Sequence, residues 1–424
     1  MALFSKKDFK NTQWFIAEKL LQVLVGLFII PQIFTSLGTE EIGKLEFSKT
    51  LLGTLSPLFF LGLSAICIRE LIFKPKDKHK IIATTLILRL LSFLVILSAL
   101  IIYNLLTKRS DISIILLIIC FSYLFKITDV FDFYLQATKQ SHVLFIAKFC
   151  ALILSLLAQY YGVNNNYGIL YFASILLIDA LTQGLIYSFY LFRNKQLDFK
   201  FLNFCKITAK NLLSSAFPLF ISNVLIMFYI AIDEFFLKYF INDTANGIFA
   251  TVQFLVIFLT WNIGAALVYG LYPALAEVYN NDKEMYFSRM RKMGLFLILF
   301  GISIGVFYTF LGDVIINTFY DASFNNAKIP LKIFCWAPLF IFIGMLYEKH
   351  LINQNQLLNN VYRFSIGCIV NIILCFLLIP IYNVNGAAAA VLISHIITNV
   401  GYIFIDKSNS KKFKSLIKEL IVSK

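Results

Sequence analysis

Charge is scarce in this chain. Of its 424 residues only 14% are Asp, Glu, Lys or Arg, 59% are apolar, and the mean hydropathy is +0.80. A water-soluble fold cannot bury so large an apolar share, so a soluble globular protein is excluded. Cysteine and histidine are also sparse. The seven Cys (Cys67, Cys120, Cys150, Cys205, Cys335, Cys368 and Cys375) fall mostly inside apolar segments with no CxxC pair, so neither a disulfide framework nor a metal site is indicated. His79, His142, His350 and His395 never stand at metal-ligand spacing, and no Ser, His and Asp set can be assembled, so no enzyme and no cofactor is expected. The first apolar segment, near Trp14 and behind Lys6, Lys7 and Lys10, has no small-residue cleavage site and carries Glu18, Lys19 and Pro31; it is predicted to be a retained span rather than a signal peptide.

What is present instead is apolar sequence in long blocks. Ile81 to Leu106 and Met293 to Leu311 each approach the roughly 20 residues needed to cross a bilayer core. Hydropathy windows predict an all-α integral membrane protein with twelve spans. The first six lie near 14–36, 47–68, 81–106, 112–135, 142–161 and 168–192. The second six lie near 211–238, 247–276, 293–316, 329–351, 358–380 and 386–405, with a kink expected near Gly264 or Gly270.

Basic residues in the loops set the orientation, because Lys and Arg are retained on the cytoplasmic side. The N-terminus, alternate loops and the tail beyond 406 hold 24 Lys and Arg, whereas the opposite loops hold only Lys44, Lys108, Arg109 and Lys328. Both termini are therefore expected in the cytoplasm. The asymmetry accounts for most of the net charge of +14 without nucleic acid, and the basic tail suits an anionic inner leaflet.

The basic stretch Arg193 to Lys210 divides the chain into halves that resemble distant copies. Gly43 before the second span has its counterpart in Gly247 before the eighth. Gln136 precedes Gly168 by 32 residues, as Asn353 precedes Gly386 by 33. Such tandem similarity predicts two six-helix lobes, 1–192 and 211–405, joined by a basic cytoplasmic linker at 193–210 and followed by a basic tail at 406–424, with the substrate path between them.

Nine Lys and Arg remain inside or at the edges of spans. Lys238, Lys332 and Lys349 lie near span ends, where snorkelling to the headgroups is the simplest use. Arg89, Lys126, Lys148 and Arg363 are deeper, where each charge costs about 2.5 to 3.5 kcal/mol on insertion scales and calls for a hydrated cavity or a partner. Arg89 has Thr85 and Ser92 on its face, and Asn360, Arg363, Gly367 and Asn371 form one stripe. With Lys19 and Lys49 in the first two spans, these residues predict a cationic cavity; the competing expectation is internal ion pairing, for example Lys126 with Asp129. Glu18, Asp129, Asp179 and Asp233 are candidates for coupling to H+ or Na+, since a buried carboxylate is readily titrated. For Asp233 the more conservative expectation is a structural ion pair with Lys238 or a cation of another helix.

Several passages resemble the Wzx-type polysaccharide-unit flippases of the multidrug/oligosaccharidyl-lipid/polysaccharide exporter superfamily. They are NTQWFIAEKLLQVL (Asn11 to Leu24), SLGTEEIGKLEF (Ser36 to Phe47), LGLSAICIRE (Leu61 to Glu70), FPLFISNVLIMFYIAIDEFFL with Asp233 at the family's acidic position, NGIFATVQFL, YPALAEVY, and IPIYNVNGAAAAVLISH (Ile379 to His395). The resemblance implies two six-helix lobes around a central cavity that alternates between inward-open and outward-open states. It also implies a cargo, an oligosaccharide repeat unit on undecaprenyl diphosphate, moved across the bacterial cytoplasmic membrane for O-antigen, and hence lipopolysaccharide, or for capsule. A polymerase and a chain-length regulator are implied partners beside the membrane lipids. Scattered Lys and Arg suit a diphosphate that must be held reversibly. A cation-coupled multidrug exporter of the same superfamily would favour an acidic or aromatic cavity. A lipid II flippase would add two spans, and a membrane-embedded polysaccharide polymerase or ligase would carry a large outside loop, which this sequence lacks.

Overall fold

The computed structural model of the chain describes residues 6–106, 111–138, 140–196, 204–265, 282–354 and 356–406, with isolated positions elsewhere and residues 6–25 and 27 by their backbone. Every regular element among the described residues is helical. A backbone crossing lipid must satisfy its own polar groups, and a helix does so within one segment. Eight helical stretches among the described residues are long and apolar enough to cross a membrane, or nine when the bent pair Ala322–Phe334 and Ala337–Asn353 is taken as one span.

In chain order the helices are α1 (Lys6–Phe60), α2 (Leu63–Phe73), α3 (Lys78–Leu106), α4 (Asp111–Lys126), α5 (Asp129–Ala137), α6 (Ser141–Asn164) and α7 (Ile169–Arg193). There follow α8 (Lys206–Phe240), α9 (Asp243–Leu259), α10 (Lys283–Phe319), α11 (Lys328–Phe334), α12 (Ala337–Asn353), α13 (Leu357–Ile396) and α14 (Tyr402–Ile405). The chain packs as two compact units. One comprises Lys44–Met227; the other comprises Met1–Gly43 with Phe228–Lys424, so that the divisions fall inside α1 and α8.

The two longest helices are not continuous. α1 is broken at Gly38 (φ 77°, ψ 169°) and α13 at Asn383 (φ 52°, ψ −131°), left-handed φ values that end a helical path. Both breaks fall between predicted spans, at 36–47 and 380–386. The fourth and tenth segments, predicted as unbroken, are each interrupted. α4 gives way to α5 across Ile127 and Thr128, where the Thr128 hydroxyl donates to the Phe125 carbonyl at 2.6 Å and competes with the helical ladder. α11 and α12 meet at Cys335 and Trp336 with a bend of 47°, because Pro338 in the first turn of α12 has no N–H and disfavours helix before it. The kink expected near Gly264 is a π turn over Thr260–Ala265; Gly270 lies outside the described residues. A second π turn, Ile397–Gly401, precedes α14.

In the unit 44–227, Cys67, Ile82, Val130, Leu135, Ala147 and Tyr187 bring α2, α3, α5, α6 and α7 to one buried cluster. In the other unit α1 and α9 cross with their backbones in contact at Gly43 and Gly247. A Cβ on Gly43 would overlap the Asp243 carbonyl oxygen, and one on Gly247 would overlap that of Thr39. The Asn246 amide adds a hydrogen bond to the Gly43 carbonyl at 3.1 Å. The two glycines matched between the halves of the sequence therefore meet each other, as small residues do where helices approach closely in membranes.

Of the three span-end lysines, Lys238 pairs with Asp243, Lys332 with Asp313 at 2.6 Å, and Lys349 with Glu348 at 3.1 Å. The Lys332 and Asp313 side chains are 40% and 44% exposed, so their pair is expected to contribute at most ~1 kcal/mol. Lys332→Met should leave the unfolding midpoint of the detergent-solubilised protein within roughly 2 °C of wild type. A larger drop would show that the pair does more than decorate the surface.

Candidate functional site

Three of the cations singled out in the sequence converge in the unit 44–227. Arg89 of α3 is 2% exposed. Its guanidinium lies 5.0 Å from the Phe60 ring centroid and 4.8 Å from that of Phe133, and its Nη1 donates to the Lys126 carbonyl at 3.5 Å. That carbonyl stands at the α4–α5 break, so a buried cation caps the point where the helix is interrupted. Its Nε has no hydrogen-bond partner. Lys126 is half-buried with its ammonium 5.0 Å from the Tyr123 centroid, and Lys148 of α6 is half-buried. Asp129, in the first turn of α5, feels the positive charges of Arg89, Lys126 and Lys148 and the negative charge of Asp132. Three cations thus act on Asp129 against one further carboxylate, Asp132, and positive charge is in excess. A partly desolvated surplus of this kind attracts anions.

The remaining candidates have other partners or lie outside the described side chains. Lys49 pairs with Glu46 one turn away at 2.8 Å, and Asp179 accepts from Gln183 at 3.1 Å. The side chains of Glu18 and Lys19 lie outside the described residues.

In the other unit the α13 stripe lies against the interior. Arg363, 1% exposed, donates from Nη1 to the Gly344 carbonyl of α12 at 2.8 Å. It stacks over Phe364 at 4.7 Å and Tyr347 at 5.7 Å, and the acid acting on it is Glu348. Both arginines are thus enclosed by aromatic faces, which favour a cation where water is excluded. Arg363 Nε and the Asn360 amide oxygen are buried without hydrogen-bond partners, and such atoms in a native interior ask for a water or a ligand.

Asp233, near the end of α8 and 1% exposed, does not pair with Lys238. It accepts a hydrogen bond from Gln253 Nε2 of α9 at 2.6 Å, while Lys238 turns to Asp243. One turn earlier the Tyr229 hydroxyl shares a hydrogen bond with His395 Nδ1 at 3.0 Å. Asn371 donates to the Tyr229 carbonyl at 3.4 Å and accepts from the Ser394 hydroxyl at 3.1 Å. Gly367 leaves room for Tyr229 and Thr398 to approach α13. A polar seam therefore joins α8, α13 and the π turn before α14. Sequence reasoning set His395 aside as isolated, since its partner lies 166 residues away. It also passed over Asp406, which at the end of α14 accepts from Tyr347 at 2.5 Å and from Asn359 at 3.1 Å.

Comparison with known proteins agrees with this architecture. Residues 9–279 match the family described as polysaccharide biosynthesis protein. The capsular polysaccharide biosynthesis protein CapF of Staphylococcus aureus is 23% identical over 414 residues, covering 94% of this chain and 99% of CapF. An inward-facing multidrug resistance MATE family transporter of the MOP superfamily superposes with a TM-score of 0.75 at 11% identity, covering 97% of this chain and all of that one. The lipid II flippase MurJ in an inward closed conformation gives 0.70 at 15% identity, covering 99% of this chain and 91% of that one. At such identities these structures establish the fold alone. The chain is a multi-span helical membrane protein with the fold of MOP-superfamily transporters, and it belongs to the polysaccharide biosynthesis protein family.

Proposed function

We propose that the protein is a flippase that moves undecaprenyl-diphosphate-linked oligosaccharide units across the bacterial cytoplasmic membrane by alternating access. The observation that carries the reading is the excess of buried and half-buried positive charge in a chain of this family, with Arg89, Lys126 and Lys148 set against the two carboxylates Asp129 and Asp132. A diphosphate headgroup needs cations in a partly dry setting, and half-buried ammoniums release it more readily than one tight clamp. Lys126 and Lys148 supply such contacts, with Lys49 and Lys19 as further candidates, while Arg89 and Arg363 add fixed positive potential from behind their aromatic faces. Likeness to CapF favours a capsular over an O-antigen polysaccharide. A polymerase and a chain-length regulator are the proposed partners.

The proposed count is twelve spans, with α1 and α13 each divided in two at Gly38 and Asn383, the bent pair taken as one and α9 assigned to another. The loop charges place both termini in the cytoplasm. The two six-helix lobes at 1–192 and 211–405 follow the internal similarity of the sequence.

Reconstitution in proteoliposomes with a fluorescent lipid-linked oligosaccharide tests the function. Protein-dependent movement of the label to the opposite leaflet is expected, and movement indistinguishable from protein-free vesicles would refute it. Asp233 is proposed to take up the coupling H+ or Na+, with Asp129, Asp179 and Glu18 as secondary candidates. Asp233→Asn keeps an acceptor for Gln253 but cannot carry the charge. It should insert normally, lose at least about tenfold in gradient-driven flipping, equivalent to ~1.4 kcal/mol, and lose its ion dependence. Unchanged ion dependence would remove Asp233 from that role.

A further inference from the structure

The first three turns of α8 have two unlike faces. Ala209, Leu212 and Ala216 are buried, Leu212 and Ala216 forming one core cluster with Leu63 and Ile66 of α2, and Gly62 lets the α1–α2 break close onto the α8 backbone at Ala216 and Phe220. That contact fixes which way the helix is turned. The neighbouring face, about a quarter-turn round the helix, is open and borders a groove of about 740 Å³ lined by Lys206, Ile207, Lys210, Leu213, Ser214 and Phe217, with Ala209 at its edge.

At 100° per residue Lys206, Lys210, Leu213 and Phe217 fall within about 60° of one another, as a single stripe along the helix. The two lysines stand at its start, one turn apart, about 6 Å between Cβ atoms. Leu213 and Phe217 are exposed beneath them, and none of the described residues lining the groove is acidic. From Lys206 to Phe217 the helix rises roughly 16 Å, about half of a ~30 Å hydrocarbon core. The stripe thus runs from headgroup depth into the acyl region.

We propose that this stripe docks a single-chain polyprenyl diphosphate, with Lys206 and Lys210 on the diphosphate and the chain along Leu213 and Phe217. The placement rests on the cargo proposed above and names where its lipid part is held before uptake. Two adjacent cations match the two adjacent phosphates of a diphosphate, and a stripe one helix wide fits one chain. A phospholipid brings a single phosphate and two chains, which makes it the poorer occupant. The lysines belong to the linker that the loop charges assign to the cytoplasm, the leaflet in which such a cargo is assembled.

The test uses the full chain in phosphatidylcholine nanodiscs with a diazirine-bearing polyprenyl diphosphate. Photolabelling is expected in the peptide spanning 206–219, to fall roughly fivefold or more in K206E/K210E as two charge-assisted contacts are lost, and to persist in K206R/K210R. Unlabelled polyprenyl diphosphate should displace the probe, and the same concentration of phosphatidylglycerol should not. Labelling elsewhere, labelling that survives K206E/K210E, or equal displacement by phosphatidylglycerol, which would mark a general anionic-lipid contact, would each overturn the proposal. The displacement experiment is read on wild type and does not depend on how a variant folds. Wild-type flipping of the lipid-linked oligosaccharide is scored on the same preparations. Protein that labels at α8 yet moves no cargo contradicts the proposed function and leaves the docking site standing; protein that flips without labelling there does the reverse.

Discussion

Arg363→Ala is expected to abolish flipping and to destabilise the protein by ~1–3 kcal/mol, through the loss of a buried charge-assisted hydrogen bond and of side-chain packing. The guanidinium ties α13 to the Gly344 carbonyl of α12 at 2.8 Å and fills the space between Phe364 and Tyr347. Truncation empties that space and removes the donor to the Gly344 carbonyl, while Glu348 keeps Lys349 at 3.1 Å. Lysine separates packing from chemistry. Arg363→Lys keeps the charge but not the planar fork or the stacking, so it should retain a folded, detergent-stable protein and lose roughly tenfold or more in flipping rate. Lysine activity equal to wild type would show that charge alone suffices at this position. Midpoints from thermal unfolding and initial rates from proteoliposomes provide the two readouts.

The crossing of α1 and α9 should be equally unforgiving. Gly247→Ala places a methyl group on the Thr39 carbonyl oxygen and Gly43→Ala places one on that of Asp243, so neither can be relieved by rotating a side chain. Backbones must separate instead, at a cost of ~1–3 kcal/mol for each variant, with loss of the Asn246 hydrogen bond to Gly43. Because both changes push the same helices apart, the double variant should fall short of the sum of the singles. Gly53→Ala is the control, since nothing lies within 4 Å of a Cβ there, and its midpoint should match wild type. Equal midpoints for Gly247→Ala and Gly53→Ala would show that the crossing is looser than described.

Much of this was legible in the sequence, and the reasons differ by feature. Span positions could be read because lipid demands apolar runs of set length, and the breaks at Gly38 and Asn383 fell where the polar stretches interrupted them. The deep cations could be read because each is costly in a membrane. Their enclosure could not: Phe60 and Phe133 reach Arg89 from positions 29 and 44 residues away in the chain, and nothing local announces the meeting. The α11–α12 bend had a signal in Pro338, whereas the α4–α5 break had only Thr128, a residue common in unbroken membrane helices. Asp233 is expected from the sequence to pair with Lys238 or with a cation of another helix, but Gln253 bonds to Asp233 and Asp243 to Lys238, both from α9, partners that no local pattern signals.

The π turn at Ile397–Gly401 accommodates one residue more than an α turn would. Returning that residue to regular winding would advance everything beyond it by about 100° relative to His395. Thr398, now beside Gly367, and Asn399, now against Gly344, would exchange neighbours in one step. Rewinding that one turn would therefore change the partners of several seam residues together rather than one at a time.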